Sequence, residues 1–285
     1  MENEFVDAIE IKNLTIKYPK FTLDDVSFSV PFGKIVGFVG ENGAGKSTTL
    51  KAIGGLVNFK QGEVKIFGKN VADLTSLEKE NIGFVLDEIC LPEKLNIEQF
   101  NKIFKNIFKQ WSEDVFFNYL KDFGIDHTKK ISELSKGMKA KLNLTIAFSH
   151  NAKLLVLDEP MNGLDPVARD EIMDILLNYI SNKECAVLIS SHIITDLEKI
   201  CDRVVIIHEG KIFIDENKEE LMGMFDVYDT DLEGFNKLDK NDVIRYKVLQ
   251  DDYSVLIKKG SNNTAKTRNA TLEDIIVFMI RGKKL

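Results

Sequence analysis

The chain has 285 residues, 44% hydrophobic and 29% charged, a balance that suits a globular protein able to bury a substantial core. Its formal net charge of −7 argues against broad binding to a nucleic-acid backbone, which requires a basic face. Cys90, Cys185 and Cys201 are too few and too scattered for a disulfide framework or zinc cluster and read as reduced thiols. The acidic start Met1–Asp7 lacks the order of a signal peptide, and no run approaches the ~20 apolar residues of a membrane span.

In chain order, Ala8–Leu14 and Val26–Val30 alternate with period two, as half-buried antiparallel strands do. Lys34–Val39 is a continuous apolar run, suited to a strand buried on both faces. It feeds a glycine loop, after which residues Lys46 to Leu56 read as a helix, and Gly62–Gly68 as a further strand and turn. From Asn96 to about Phe123 the apolar residues shift to helical spacing: Phe100, Ile103, Phe104, Ile107 and Phe108, then Val115, Tyr119 and Leu120. This stretch predicts a helical subdomain over residues 95–150, inserted into a sheet domain. Strands return at Leu154–Leu157, Ala186–Ser190 and Val204–Ile207, with a helix over Pro166–Ile180, a βαβ alternation that implies an α/β core. Residues 221–285 read as a small α+β appendage. It is expected to hold a hairpin (Asp242–Leu249, Tyr253–Lys258) and a capping box, Thr271-Leu-Glu-Asp274, before an apolar-striped helix over Leu272–Met279.

Gly40-Glu-Asn42-Gly43-Ala-Gly45-Lys46-Ser47 matches the P-loop pattern between a strand and a helix, the context that supports it. The glycines let backbone N–H groups turn inward around phosphates, and the helix N-terminus adds positive potential. Lys46 supplies a point charge, Ser47 a hydroxyl for Mg²⁺, and Thr48 a further hydroxyl for the α-phosphate. Asp158 ends an apolar strand where an unpaired carboxylate would be costly, and a Mg²⁺ partner resolves that cost. Glu159 follows it, suited to orient or deprotonate an attacking water. Ser135 and Gly137 open a predicted helix, Met138–Ser149. They form a second anion site whose natural customer is ATP on another protomer, or else a plain serine N-cap.

Leu134-Ser135-Lys136-Gly137-Met138, lying between the P-loop and Leu154–Glu159, resembles the signature of the ATP-binding cassette (ABC) family. The resemblance covers roughly residues 5–220. It implies an α/β fold, a P-loop NTPase cassette with an antiparallel β region and a helical subdomain, in a nucleotide-binding domain over residues 1–220. It further implies an ATPase using ATP and Mg²⁺, with Glu159 and His192 catalytic and Tyr18 stacked on adenine. Asn162 and Asp165 would belong to a loop crossing a dimer interface, although Asp165-Pro166 also suits a simple helix start. In such proteins two cassettes clamp two ATP molecules, each signature completing the other's site, and the motion drives separate membrane-spanning permease subunits.

Two places depart from the family pattern. Lys136 and Met138 replace the usual glycine and glutamine of the signature. Asp87, after Ile82–Leu86, stands where the family has a glutamine that reaches Mg²⁺ and signals to the membrane subunit. It is either a switch-loop residue that still approaches Mg²⁺, through a water because it is one methylene shorter, or a solvent-facing aspartate. A groove between Asp87 and the helical subdomain would dock a cytoplasmic coupling helix. The resemblance is closest to bacterial export cassettes, including Gram-positive peptide, phenol-soluble modulin and antimicrobial-resistance exporters. The protein is then expected in the cytoplasm, on the inner face of the membrane through its permease, as a homodimer or paired with a paralogue, with no nucleic-acid partner. A soluble ABC ATPase of ribosomes or DNA, or a non-hydrolysing regulatory cassette, are the alternatives. His127, His150 and His208 have no such placement and read as structural or surface residues.

Overall fold

The computed structural model describes residues 7–86, 92–250, 252–260 and 267–285. Strands β1 (Ile9–Tyr18) and β2 (Phe21–Val30) pair antiparallel across the turn Pro19-Lys20. Both run beyond their predicted spans, because register shifts near Asn13, itself at φ 50°, let the ribbon bend without ending. β3 (Ile35–Val39) is buried along its whole length. Helix α1 (Lys46–Ile53) stops short of Leu56, at Gly54-Gly55, where Gly55 takes φ 66°. β4 (Gln61–Ile66) and the short β5 (Lys69–Asn70) complete a four-stranded sheet in the order β2-β1-β4-β5.

A one-turn helix α2 (Ser76–Lys79) precedes β6 (Ile82–Val85). Then come α3 (Ile97–Ile107), α4 (Glu113–Asp122) and α5 (Lys136–Ser149), before β7 (Leu154–Asp158) resumes the sheet. The predicted helical stretch is thus broken between Phe108 and Ser112. Ile103 (40% exposed) and Ile107 (58%) lie outside, and Phe116, not Val115, is fully buried. The inward face is Ile97, Phe100 and Phe104 against Phe116, Leu120 and Leu142. α5 begins at Lys136, two residues before the predicted Met138.

α6 (Pro166–Ile180), β8 (Ala186–Ser191), α7 (Ile194–Ile200), β9 (Arg203–His208) and β10 (Lys211–Asn217) finish a six-stranded sheet in the order β10-β9-β3-β8-β7-β6. All neighbours in it are parallel except the β9–β10 edge. Period two divides its side chains between two cores. Val36, Phe38, Val156 and Leu188 face the antiparallel sheet and α1. Val39, Leu155, Ile189 and Ile206 face α6 and α7.

The chain continues through α8 (Lys218–Gly223), β11 (Phe225–Thr230), α9 (Leu232–Asn236), β12 (Val243–Leu249), β13 (Asp252–Lys258), β14 (Thr267–Asn269) and α10 (Leu272–Arg281). The strands form a third sheet, β12-β13-β11-β14. Thr271 and Asp274 make the expected reciprocal cap of α10. Val227, Leu256, Leu272, Ile275 and Phe278 share one continuous core with Ile189 and Leu197.

Candidate active site

The site lies at the carboxyl ends of β3, β7 and β8, where loops leave a parallel sheet and side chains converge. Gly40 must be glycine because a Cβ there would stand 2.5 Å from the Ile207 carbonyl oxygen. Gly45 precedes α1 at φ 117° and offers no side chain to cap it, so the first-turn N–H groups remain available to an anion. Lys46 is buried. Its Nζ donates to the Gly40 carbonyl at 2.7 Å, lies 3.4 Å from that of Glu41, and is 3.6 Å from Glu159 Oε1. Asn42, Gly43, Gly45, Lys46, Ser47 and Thr48 line one face of a cavity of about 460 Å³, and Glu159, Asn162 and His192 line the other.

Asp158 is 4% exposed, and its Oδ1 accepts the Ser190 hydroxyl at 2.6 Å. The same Oγ accepts the backbone N–H of Glu159 at 3.0 Å. Ser190 therefore ties the two carboxylate residues together, following from its register opposite Asp158. Glu159 takes φ 49°, an uncommon conformation for a non-glycine residue, and swings its carboxylate back across the loop. Its Oε2 meets His192 Nδ1 at 2.7 Å and the His192 backbone N–H at 3.2 Å. One carboxylate thus spans from Lys46 to His192, a geometry suited to holding a water beside a phosphate. Ser47 lines the phosphate cavity, whereas Asp158 lines an adjoining one with Glu159 and Asn162; both are hard oxygen donors of the kind Mg²⁺ takes. Among the described residues no group of three or more His, Cys, Asp or Glu stands ready to hold a metal alone.

Ser135 caps α5, its Oγ accepting the Met138 N–H at 3.2 Å. With Lys136, Gly137 and Met138 it lines a separate cavity of about 340 Å³, across from Gly163 and Asp165. Asp165 caps α6 by accepting the Ala168 N–H at 3.0 Å, so its helix-start role is realised. The Lys136 stem lies over Gly163, where a Cβ would approach Nζ to 2.5 Å. This second cavity shares no lining residue with the phosphate cavity.

Tyr18 is 44% exposed and does not line the phosphate cavity; its cross-strand partner Phe21 does. Asp87 lies outside the described residues, as does Cys90. Burial raises the thiol pKa of both Cys185 and Cys201. Sequence reasoning missed Ser190 and Phe21. A serine on a strand buried on both faces needs a polar partner, and Phe21 lies just past a two-residue turn from Tyr18; both signals were present.

The sequence profile of the family described as ABC transporter matches residues 23–162. The chain is 31% identical to the "Uncharacterized ABC transporter ATP-binding protein YhcH" of Bacillus subtilis (strain 168), over 93% of this chain and 83% of that one. It is 33% identical to the lantibiotic transport ATP-binding protein SrtF of Streptococcus pyogenes (75% and 95% covered). It is also 33% identical to the bacitracin transport ATP-binding protein BcrA of Bacillus licheniformis (72% and 68%). Among solved structures, the ATP-binding subunit of an ABC transporter superposes with a TM-score of 0.68 at 29% identity, covering 75% of this chain and 91% of that one. Identity that runs nearly the length of YhcH, on a fold that brings P-loop, acidic strand end and histidine together, establishes that this chain belongs to the ABC transporter family as an ATP-binding ATPase subunit.

Proposed function

We propose that this chain is the ATP-hydrolysing subunit of a membrane exporter and works as one half of a cassette pair. The observation that carries the pairing is the separation of its two anion-ready cavities. The Ser135–Gly137 cavity presents a helix start and backbone N–H groups, and none of its lining residues lines the Lys46 cradle; a cavity lined by Lys136, Asp158, Glu159 and Asn162 lies between the two. This arrangement supports the reading in which each signature serves the nucleotide held by a second cassette, this chain again or a paralogue. Export of a peptide or antimicrobial compound is supported by the names of SrtF and BcrA, lantibiotic and bacitracin transport proteins. Among the described residues no helix is long and apolar enough to cross a membrane. The work is then delivered to separate permease subunits, at the inner membrane face. A ribosomal or DNA partner is disfavoured by the net charge of −7.

In the proposed reaction Lys46 and the inward N–H groups of the P-loop bind and orient the phosphates. Glu159 orients the attacking water and accepts its proton. His192 fixes the Glu159 carboxylate through its backbone N–H and its ring, holding it toward the phosphate face. Bound Mg²⁺, held by Ser47 and Asp158, would neutralise charge on the phosphate oxygens. Ser190 keeps Asp158 in place.

The test mixes two inactive variants. Lys46→Ala removes the phosphate cation, and Gly137→Asp places a carboxylate in the signature. Each alone is expected to lose at least about 100-fold in ATP turnover. If two copies of this chain pair, mixed assemblies contain one intact site, and an equal mixture regains about a quarter of wild-type turnover, half of the pairs being mixed with one of two sites intact. A mixture as inactive as its components would overturn pairing between copies. Turnover that survives Gly137→Asp alone would overturn the shared site altogether.

A further inference from the structure

The phosphate loop has a neighbour that its motif does not supply. Helix α10 ends at Arg281, whose guanidinium donates to Glu41 Oε1 at 2.8 Å through Nη2 and at 3.3 Å through Nε. Glu41 is the second residue of the P-loop, and it lines the phosphate cavity. The same helix forms one wall of a groove of about 520 Å³, with Ile276, Ile280 and Arg281 facing Glu41, Asn42 and His192. The ion pair does not hold the helix there, since both partners are substantially exposed and such pairs add little stability. α10 is placed by Leu272, Ile275, Ile276 and Phe278, buried in the core shared with Val39 and Leu197. Apolar packing therefore fixes the end of α10 beside the loop, within reach of the exposed Arg281 guanidinium.

The electrostatic consequence concerns nucleotide binding. A carboxylate at the rim of a phosphate cradle repels the polyanion that the cradle collects. A glutamate at this exposed rim is ionised at neutral pH, and the Arg281 hydrogen bond holds its carboxyl lower still. A guanidinium is charged at every relevant pH, and it cancels that charge at hydrogen-bond distance.

We propose that Arg281 is a positioning residue for the nucleotide site: paired with Glu41, it neutralises a carboxylate at the mouth of the phosphate cradle and thereby couples the C-terminal unit to ATP binding. The proposal rests on the reading of Gly40–Ser47 as the ATP phosphate cradle. Coupling is reciprocal, so bound ATP in turn favours the docked position of α10.

The experiment measures the Kd of MgATP for the full chain by calorimetry, alongside KM and kcat for ATP turnover. Arg281→Ala is expected to raise Kd about five-fold, the low end for coupled sites, with the loss falling on KM rather than kcat. Arg281→Lys keeps the charge and should retain most of the affinity. In a Glu41→Gln background the Arg281→Ala substitution should have no further effect, and the penalty should shrink at about 1 M salt, where charges are screened within ~3 Å. Wild-type affinity in Arg281→Ala overturns the proposal, as does an equal loss in the Glu41→Gln background. If Arg281→Ala folds poorly, Arg281→Gln carries the same comparison. Failure of the wild-type chain to bind MgATP would instead sink the reading of the cradle.

Discussion

At Ser190 one hydroxyl serves two neighbours, donating to Asp158 and accepting from the Glu159 backbone. Ser190→Ala removes both contacts from a fully buried position. A lost buried hydrogen bond to a charged group costs about 1.5–3 kcal/mol, which denaturant unfolding would register. Because Asp158 and Glu159 keep their side chains, turnover should fall about ten-fold while ATP affinity changes less; a variant with wild-type stability and kcat would remove Ser190 from the site. The sequence marked Lys46 and Glu159 as candidates because each follows an apolar strand within a recognisable local motif, and His192 through the family resemblance; the structure gathers all three around one cavity. Ser190 and Phe21 left only partial signals, a polar residue in a doubly buried strand and an aromatic just past a turn: neither names its partner, and the Ser190–Asp158 register joins strands distant in sequence.

Among the elements, the helical block α3–α5 shows what periodicity reveals and what it leaves open. The stripe of apolar residues located the helices, but it did not separate Phe104, turned inward, from Ile103 and Ile107 at the surface. The junction with the sheet rests on His150, which ends α5. Its Nδ1 meets the Glu80 carbonyl at 2.7 Å, and its ring stacks on Phe108 at 4.3 Å between centroids. The buried Glu80 carboxylate is occupied by the N–H groups of Lys109 and Gln110. Burial lowers the His150 pKa from its ordinary value of 6.5 despite these oxygens, so the folded state holds the ring neutral. Below about pH 6.5 the unfolded chain binds a proton that the folded chain resists. Its contribution to stability is therefore present above that pH and lost as pH falls toward the folded pKa. Thermal midpoints measured from pH 7.5 to 5.5 should drop more steeply in wild type than in His150→Gln, and parallel slopes would show that His150 is not the responsible group.

For the molecule as a whole, the C-terminal unit and the α/β body are one core. Its presence was readable, since the hairpin and the Thr271 cap lie in the local sequence. Its seat was not, because nothing local in residues 272–281 names Leu197 or Val39 as neighbours. Ile275 is fully buried within that shared core, so Ile275→Ala should cost about 2–5 kcal/mol. Calorimetry of that variant should show a single transition moved to lower temperature. A separate early transition confined to residues 221–285 would contradict the shared core.

The Glu41–Arg281 contact also joins residues 240 positions apart. At about 5–20 residues per second of synthesis, at least about ten seconds pass between the making of the phosphate loop and the making of its guanidinium partner. A nascent chain presents a complete glycine loop and Lys46 long before α10 exists to balance Glu41. The loop takes its neutralised form only after α10 has been made and packed, so on this proposal full nucleotide affinity is acquired later in synthesis than the loop itself.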